Sequence, residues 1–259
     1  MKCLKMKEQY IPSEHKELAR ILNHIAAVYN DIGDLTNAMK YHQESLKMNE
    51  KCLLIGHNSI GSSLNHIAHT LTNQGKYNEA LNYFKTSLKI QHNMFPNGHI
   101  STVKTLSKIG YIYYLKKDYN LAFDYFSKCM TMRETLFADI HDVTLISTLT
   151  YVSLVLTKQQ QNSDSLIYSM HALNLSKTLL PIGHEHITDC YTNIGIVYRK
   201  KGDYIKAFEY FEKAAQNNNA KPMQPTPIRL ARIYDNMDIC LCCQSDDEHG
   251  LNYRMAADK

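Results

Sequence analysis

Histidine and cysteine are the side chains of this 259-residue sequence with the most chemistry to offer: there are 13 His and 7 Cys. His24, His66 and His69 form the most suggestive set, because His66 and His69 stand three apart, one helical turn, and could share an ion with a neighbouring helix. Surface imidazoles without a metal account for the same spacing. His184-Glu185-His186 lacks the four-residue separation that puts two zinc ligands on one helix face. Cys240-Leu241-Cys242-Cys243 has no second cysteine pair at ribbon or finger spacing, so structural thiols are expected there. Asn174-Leu175-Ser176 matches a glycosylation sequon but falls inside an expected helix. A glycine-rich phosphate loop, a nucleophile elbow and a paired-carboxylate motif are all missing from the sequence. The expectation is therefore no catalytic residue, no metal and no cofactor.

The elements that position these residues are set by a period. His15, His57, His99 and His141 are 42 residues apart, and His184 follows after 43. Counted from each marker His, further columns fall into register. One carries Leu22, Leu64, Leu106, Thr148 and Tyr191; another carries Ile25, Ile67, Ile109, Tyr151 and Ile194. A small residue follows at Ala26, Ala68, Gly110 and Gly195, interrupted by Val152. Beyond it come Tyr29, Leu71, Tyr113, Val155 and Tyr198, and later Tyr41, Tyr83, Tyr125, Tyr168 and Tyr210. Gly33, Gly75 and Gly202 mark one turn of the unit; Gly56, Gly98 and Gly183 mark the other. Between the breaks apolar residues recur at helical spacing, so each unit reads as two antiparallel helices. Helix A is expected over 17–32, 59–73, 101–115, 143–158 and 186–200, and helix B over 35–54, 77–95, 119–136, 164–180 and 204–217.

The small column is expected where two helix backbones cross too closely for a branched side chain. Val152, the run Gln159-Gln160-Gln161-Asn162 and Ser165 make the fourth unit the degenerate one. The divisions are residues 1–14, the end of a truncated preceding repeat; 15–217, five repeats; 218–227, a Pro-rich linker; and 228–259, a partial sixth repeat. On this reading the chain is a window on a longer array, with apolar helix faces exposed at its ends.

Composition narrows the class. The chain is 44% hydrophobic and lacks an apolar run long enough for a membrane span. Met1 to Tyr10 lacks a signal-peptide core, so cytoplasmic localisation with free thiols is expected. A net charge of +4 is too mild to argue for nucleic acid.

The phrases SLNHIAHTLTNQGKYNEALNYFKTSLKI and TNIGIVYRKKGDYIKAFEYFEKAA resemble the tetratricopeptide repeat (TPR), in its long, kinesin-light-chain-like form. The resemblance covers essentially the whole chain. It implies an all-α, right-handed superhelical solenoid of about six helix pairs, the first and last incomplete. Its concave face, lined by helix A, would bind peptides or protein segments without catalysis.

Residues on the helix A face opposite the apolar stripe are the candidate site: Arg20, Asn23, Asn30, Asn65, His69, Lys104, Lys108 and Tyr111. Asn23 and Asn65 stand where kinesin-light-chain-like repeats carry asparagines that clamp a peptide backbone, although Ser107, Leu149 and Thr192 interrupt that column. Arg20, Lys104 and Lys108 favour an acidic, extended partner. In the fourth unit Ile146, Leu149 and Leu156 would make the same face an apolar patch. The expected function is a non-enzymatic adaptor or scaffold, of which cargo binding like that of kinesin light chain is one version. The alternative is the recognition region of a larger enzyme or signalling protein.

Overall fold

The computed structural model describes residues 16–52, 57–137, 143–220 and 229–243. Residues 1–14, most of the Pro-rich stretch and the end of the sixth unit lie outside the described residues. So do His15, His141, Gly56 and all but the first part of the segment 228–259. The described residues hold eleven helices. They are α1 (Lys16–Asp31), α2 (Leu35–Cys52), α3 (Asn58–Asn73), α4 (Tyr77–Met94), α5 (Ile100–Leu115), α6 (Tyr119–Phe137), α7 (Val143–Lys158), α8 (Asn162–Leu179), α9 (Glu185–Lys200), α10 (Tyr204–Asn219) and α11 (229–243). The chain divides into two compact units, residues 1–138 and 139–259. Successive helices pair as α1–α2, α3–α4 and α5–α6 in the first unit and as α7–α8 and α9–α10 in the second. No described helix is long and apolar enough to cross a membrane.

Each helix begins and ends for reasons visible in the chain. The marker histidines act as N-caps: Nδ1 of His57, His99 and His184 accepts from the backbone N–H of Ser59, Ser101 and His186 at 3.1, 3.1 and 3.2 Å. Helix A of the second to fifth pairs closes in a Schellman turn. In α3, Gly75 N–H donates to Thr72 O and Lys76 N–H to Leu71 O, at 3.0 and 2.9 Å. Gly75 has φ +75°, a conformation free of steric penalty only for glycine. The equivalent residues after α5 and α7 are Lys117 and Gln160, which adopt φ +62° and +63° with a side chain in place.

The core explains the small column, and differently from the expectation. A Cβ added to Gly195 would lie 2.7 Å from the Phe211 ring, and one on Gly110 would lie 3.0 Å from Phe126. The residue is small because an aromatic ring from helix B rests on it, not because two backbones cross. Phe84 occupies the matching position above Ala68 in the second pair, and both are buried. The fourth pair solves the same packing problem in reverse. Val152 is large, its helix B counterpart is Ser169, and the interior is completed by hydroxyls. Ser153 bonds Ser165 at 3.0 Å and also bonds Ser169; Thr157 bonds Ser165 at 2.7 Å. These groups satisfy one another, as buried polar atoms must.

Two further columns hold the helices of a pair together. Ser45, Ser87 and Cys129 each lie 26 residues after the carbonyl they donate to, on Ala19, Gly61 and Val103, at 2.7, 2.7 and 3.4 Å. Tyr29–Tyr41, Tyr113–Tyr125 and Tyr198–Tyr210 stack with ring centroids 5.5 Å apart. These tyrosine staples belong to the first, third and fifth pairs. The same pairs carry an Asp cap on helix B, where Asp34, Asp118 and Asp203 accept from Asn37, Leu121 and Lys206 N–H at 3.1, 3.2 and 3.1 Å. In the second and fourth pairs Lys76 and Gln161 stand at that position and make no side-chain cap bond. The carboxyls of Asp34 and Asp203 are held below the usual carboxylate range, Asp34 chiefly by the Asn37 backbone N–H and Asp203 chiefly by the Lys206 side chain.

Candidate functional site

The face presented by α1, α3 and α5 of the first unit gathers most of the expected residues. Its foundation is His42 of α2, which stands in the column filled by Phe84, Phe126 and Phe211 elsewhere and is 1% exposed. A buried imidazole needs partners for both nitrogens. Asn23 Oδ1 lies 2.9 Å from Nδ1, and Asn30 Nδ2 lies 3.3 Å from Nε2. This geometry fits the neutral ring with its proton on Nδ1, donating to Asn23 and accepting from Asn30. Burial first, then repulsion from His66 and His69, pushes the His42 pKa down to about 3.

The network continues between repeats. The second proton on Asn30 Nδ2 goes to Thr70 Oγ1 of α3 at 2.9 Å, and Thr70 in turn donates to His66 O at 3.2 Å. Forty residues after Asn30 is Thr70, and the same interval separates Asn65 from Thr105 of α5, whose Oγ1 accepts from Asn65 Nδ2 at 2.8 Å. The Oδ1 atoms of Asn30 and Asn65 are buried and have no hydrogen-bond partner among the described residues.

Above this layer lie His66, His69 and Lys108. The His66 ring stacks on His42 with centroids 5.1 Å apart and planes 10° from parallel. Crowding by the surrounding protein lowers the His66 pKa, helped by His24. The pKa of His69 falls to about 4 through burial first and then through Lys108 and His66, with Asp31 opposing. Loss of hydration likewise lowers the Lys108 pKa, and burial followed by Tyr77 raises that of Tyr111.

The expected site residues thus separate into groups. Hydrogen bonds join Asn23 and Asn30 to His42, and Asn30 to Thr70. Asn65 makes a separate bond to Thr105, and His69 lies within electrostatic reach of Lys108 and His66. Tyr111 lies near Tyr77. Arg20 is ion-paired with Glu17 at 2.7 Å on the exposed side of α1, so its charge is partly answered within the helix. Lys104 is exposed on α5, one turn before Lys108. Helical spacing did not single out His42, Thr70 or Thr105. His42 could have been found as the imidazole in a column that otherwise holds Phe84, Phe126, Ser169 and Phe211. The threonines carry no comparable mark.

One expectation needs correction. Ile146, Leu149 and Leu156 do not form an exposed patch: they are 0%, 2% and 3% exposed, because α7 is apolar around most of its circumference and is buried accordingly. Thr192, in the interrupted asparagine column, is also buried. Among the described residues no group of three His, Cys, Asp or Glu is placed to hold a metal ion, so His24, His66 and His69 do not converge as ligands. Cys190, Cys240 and Cys243 are not joined in disulfides. Burial raises the Cys190 pKa to about 11, which leaves it a poor nucleophile.

In the second unit Arg229 of α11 reaches Asp189 at 3.3 Å and Glu185 at 3.4 Å. Burial raises the Asp189 pKa, and Arg229 opposes it. The face of α9 is therefore partly covered by its own ion pairs.

A family profile described as tetratricopeptide repeat matches residues 17–93 and 59–135, and a second profile of the same description matches 188–220. No curated protein sequence matches the chain. Among solved structures, the fold is similar to that of BtubC (BKLC) from P. vanneervenii, at 16% identity over 87% of this chain and 90% of that one, with a TM-score of 0.71. It is also similar to the nearly identical TPR-like repeats of a Podosopora anserina kinesin light chain, at 15% identity over 81% and 99% of the two chains, with a TM-score of 0.64. YrrB, a TPR protein with an unusual peptide-binding site, aligns at 15% identity over 89% and 96%, with a TM-score of 0.50. At these identities the likeness is one of fold.

Proposed function

Because the chain belongs to the tetratricopeptide repeat family, a fold that serves as a protein-interaction scaffold, we propose that it is a non-enzymatic adaptor holding an extended, acidic segment of a partner protein. The segment lies across α1, α3 and α5. The observation that carries this reading is the row of amides on one face. Asn23, Asn30 and Asn65 are fixed in place by His42, Thr70 and Thr105. A side chain already locked by its neighbours loses little freedom when a ligand arrives. Asn23 spends only its Oδ1 on His42 and Asn65 one Nδ2 proton on Thr105, which leaves amide hydrogens for an extended backbone. Asn30, with both protons committed, fixes the row. Lys104 and Lys108 add positive charge beside the row, which favours an acidic segment and disfavours a basic one.

Cargo binding in the manner of a kinesin light chain is one version of this function, in a cytoplasmic setting. The test is a titration of the intact chain with fluorescent, end-capped acidic and basic decapeptides over a range of salt. The acidic peptide should bind more tightly, weaken with salt and lose about tenfold in affinity on combining Asn23→Ala with Asn65→Ala, roughly 1.4 kcal/mol. Equal binding of both peptides, or no effect of the asparagine substitutions, would overturn the proposal.

A further inference from the structure

The same face carries a feature that a passive amide clamp does not need. Three imidazoles are layered across it, and they differ in how freely each can take a proton. His42 is enclosed, with both nitrogens committed to Asn23 and Asn30. Protonating it would turn its Nε2 acceptor into a donor aimed at the Asn30 amide, so the ring is held neutral. His66 is stacked on it and faces outward from α3, one turn before His69. Among the described residues no hydrogen bond engages the His66 or His69 ring. The charged and titratable groups that face this pair are few. They are His24 and Asp31 from α1, His42 from α2 and Lys108 from α5, with Tyr77 of α4 beside Tyr111. Among the described residues that act on His69, the Asp31 carboxylate favours a positive charge while the Lys108 ammonium and His66 oppose it.

We propose that His66, His69 and Lys108 form a subsite for a carboxylate of the bound segment, and that filling it draws a proton from solvent onto the His66–His69 pair. This rests on the acidic-segment reading above. Lys108 supplies the standing charge that attracts the carboxylate. Burial, reinforced by like charge, keeps the imidazoles neutral; the carboxylate offsets both, and one ring takes up H⁺ and donates a charge-assisted hydrogen bond. The neutral His42 beneath them passes no charge into the core. By linkage, a complex that holds an extra proton is favoured by acid, so affinity rises as pH falls through the histidine range.

The experiment is calorimetric titration of the intact chain with an end-capped Glu-Ser repeat decapeptide near pH 6, in cacodylate and in MES, whose ionisation heats differ. The expected result is a binding enthalpy that depends on the buffer, equivalent to uptake of about half a proton or more, with affinity several-fold higher near pH 6 than near pH 7.5. Combining His66→Gln with His69→Gln should abolish both the buffer dependence and the pH dependence while the peptide still binds near pH 7.5. The single variants, His66→Gln on the exposed ring and His69→Gln on the half-buried one, serve the same purpose if the double variant does not fold. Buffer-independent heat with intact binding overturns the proton-linked subsite alone, as does full uptake retained in the variants. A peptide that binds at neither pH overturns the acidic-segment reading itself.

Discussion

His42 of α2 and His66 of α3 lie ring on ring, 5.1 Å between centroids, with His42 closed off from water and His66 open to it. The pair spans the boundary between the first two repeats. It places an ionisable ring at a site where the second, third and fifth repeats use phenylalanine.

Acid should destabilise this boundary. His42 stays neutral in the folded chain down to about pH 3, whereas in the unfolded chain it takes up a proton below its ordinary value of about 6.5. The unfolded state therefore binds more protons across that window, and stability is lost as pH falls from about 6.5 toward 3. Near pH 5 the loss attributable to His42 is about 2 kcal/mol. Urea unfolding followed by circular dichroism at pH 7 and pH 5 checks this. His42→Phe should remove most of the His42 share, since Phe84 above Ala68 already shows that a ring fits over alanine.

Gly195 is expected to tolerate no side chain. Replacing a mid-helix glycine by alanine normally stabilises by about 1 kcal/mol. Here the added methyl meets Phe211 at 2.7 Å, and Gly195→Ala should destabilise by about 1–3 kcal/mol instead. Gly110→Ala, with its contact at 3.0 Å, should cost less. Thermal melts of the two variants give the order directly.

Lys117 and Gln160 occupy left-handed turns that glycine fills in the other repeats. Lys117→Gly and Gln160→Gly should each stabilise the chain by about 1 kcal/mol, by relieving the contact between Cβ and the following carbonyl. A lower denaturation midpoint in either variant would contradict this account.

The imidazole caps at His57, His99 and His184 should behave as ordinary N-caps. Substitution by Ala is expected to cost about 1 kcal/mol and substitution by Asn to cost little. Hydrogen exchange at the Ser59, Ser101 and His186 amides would show the loss locally, because those are the protons each cap holds.

Most of the architecture was legible in the residues because one period governs it. The apolar stripe and the Gly turns place every described helix of the five pairs within about two residues of its observed ends. What lies across a helix pair was less legible, since periodicity assigns a face and not the atom opposite it. Gly110 and Gly195 read as backbone crossings until the rings of Phe126 and Phe211 are seen above them. Ile146 and Leu149 read as an open face because spacing cannot tell that α7 is enclosed. Asn30 and Asn65 read as ligand contacts alone, yet each also spends a proton on the next repeat, at Thr70 and Thr105. Those bonds run forty residues along the chain, outside any local pattern.

Tyr-stapled, Asp-capped pairs alternate with pairs that have neither feature. Excising one internal repeat would make two pairs of the same kind consecutive in the chain. Excising two in succession would return each remaining pair to a neighbour of the kind it had before. The exchangeable module for lengthening, shortening or splicing this array is therefore a couplet of repeats, not the single helix pair.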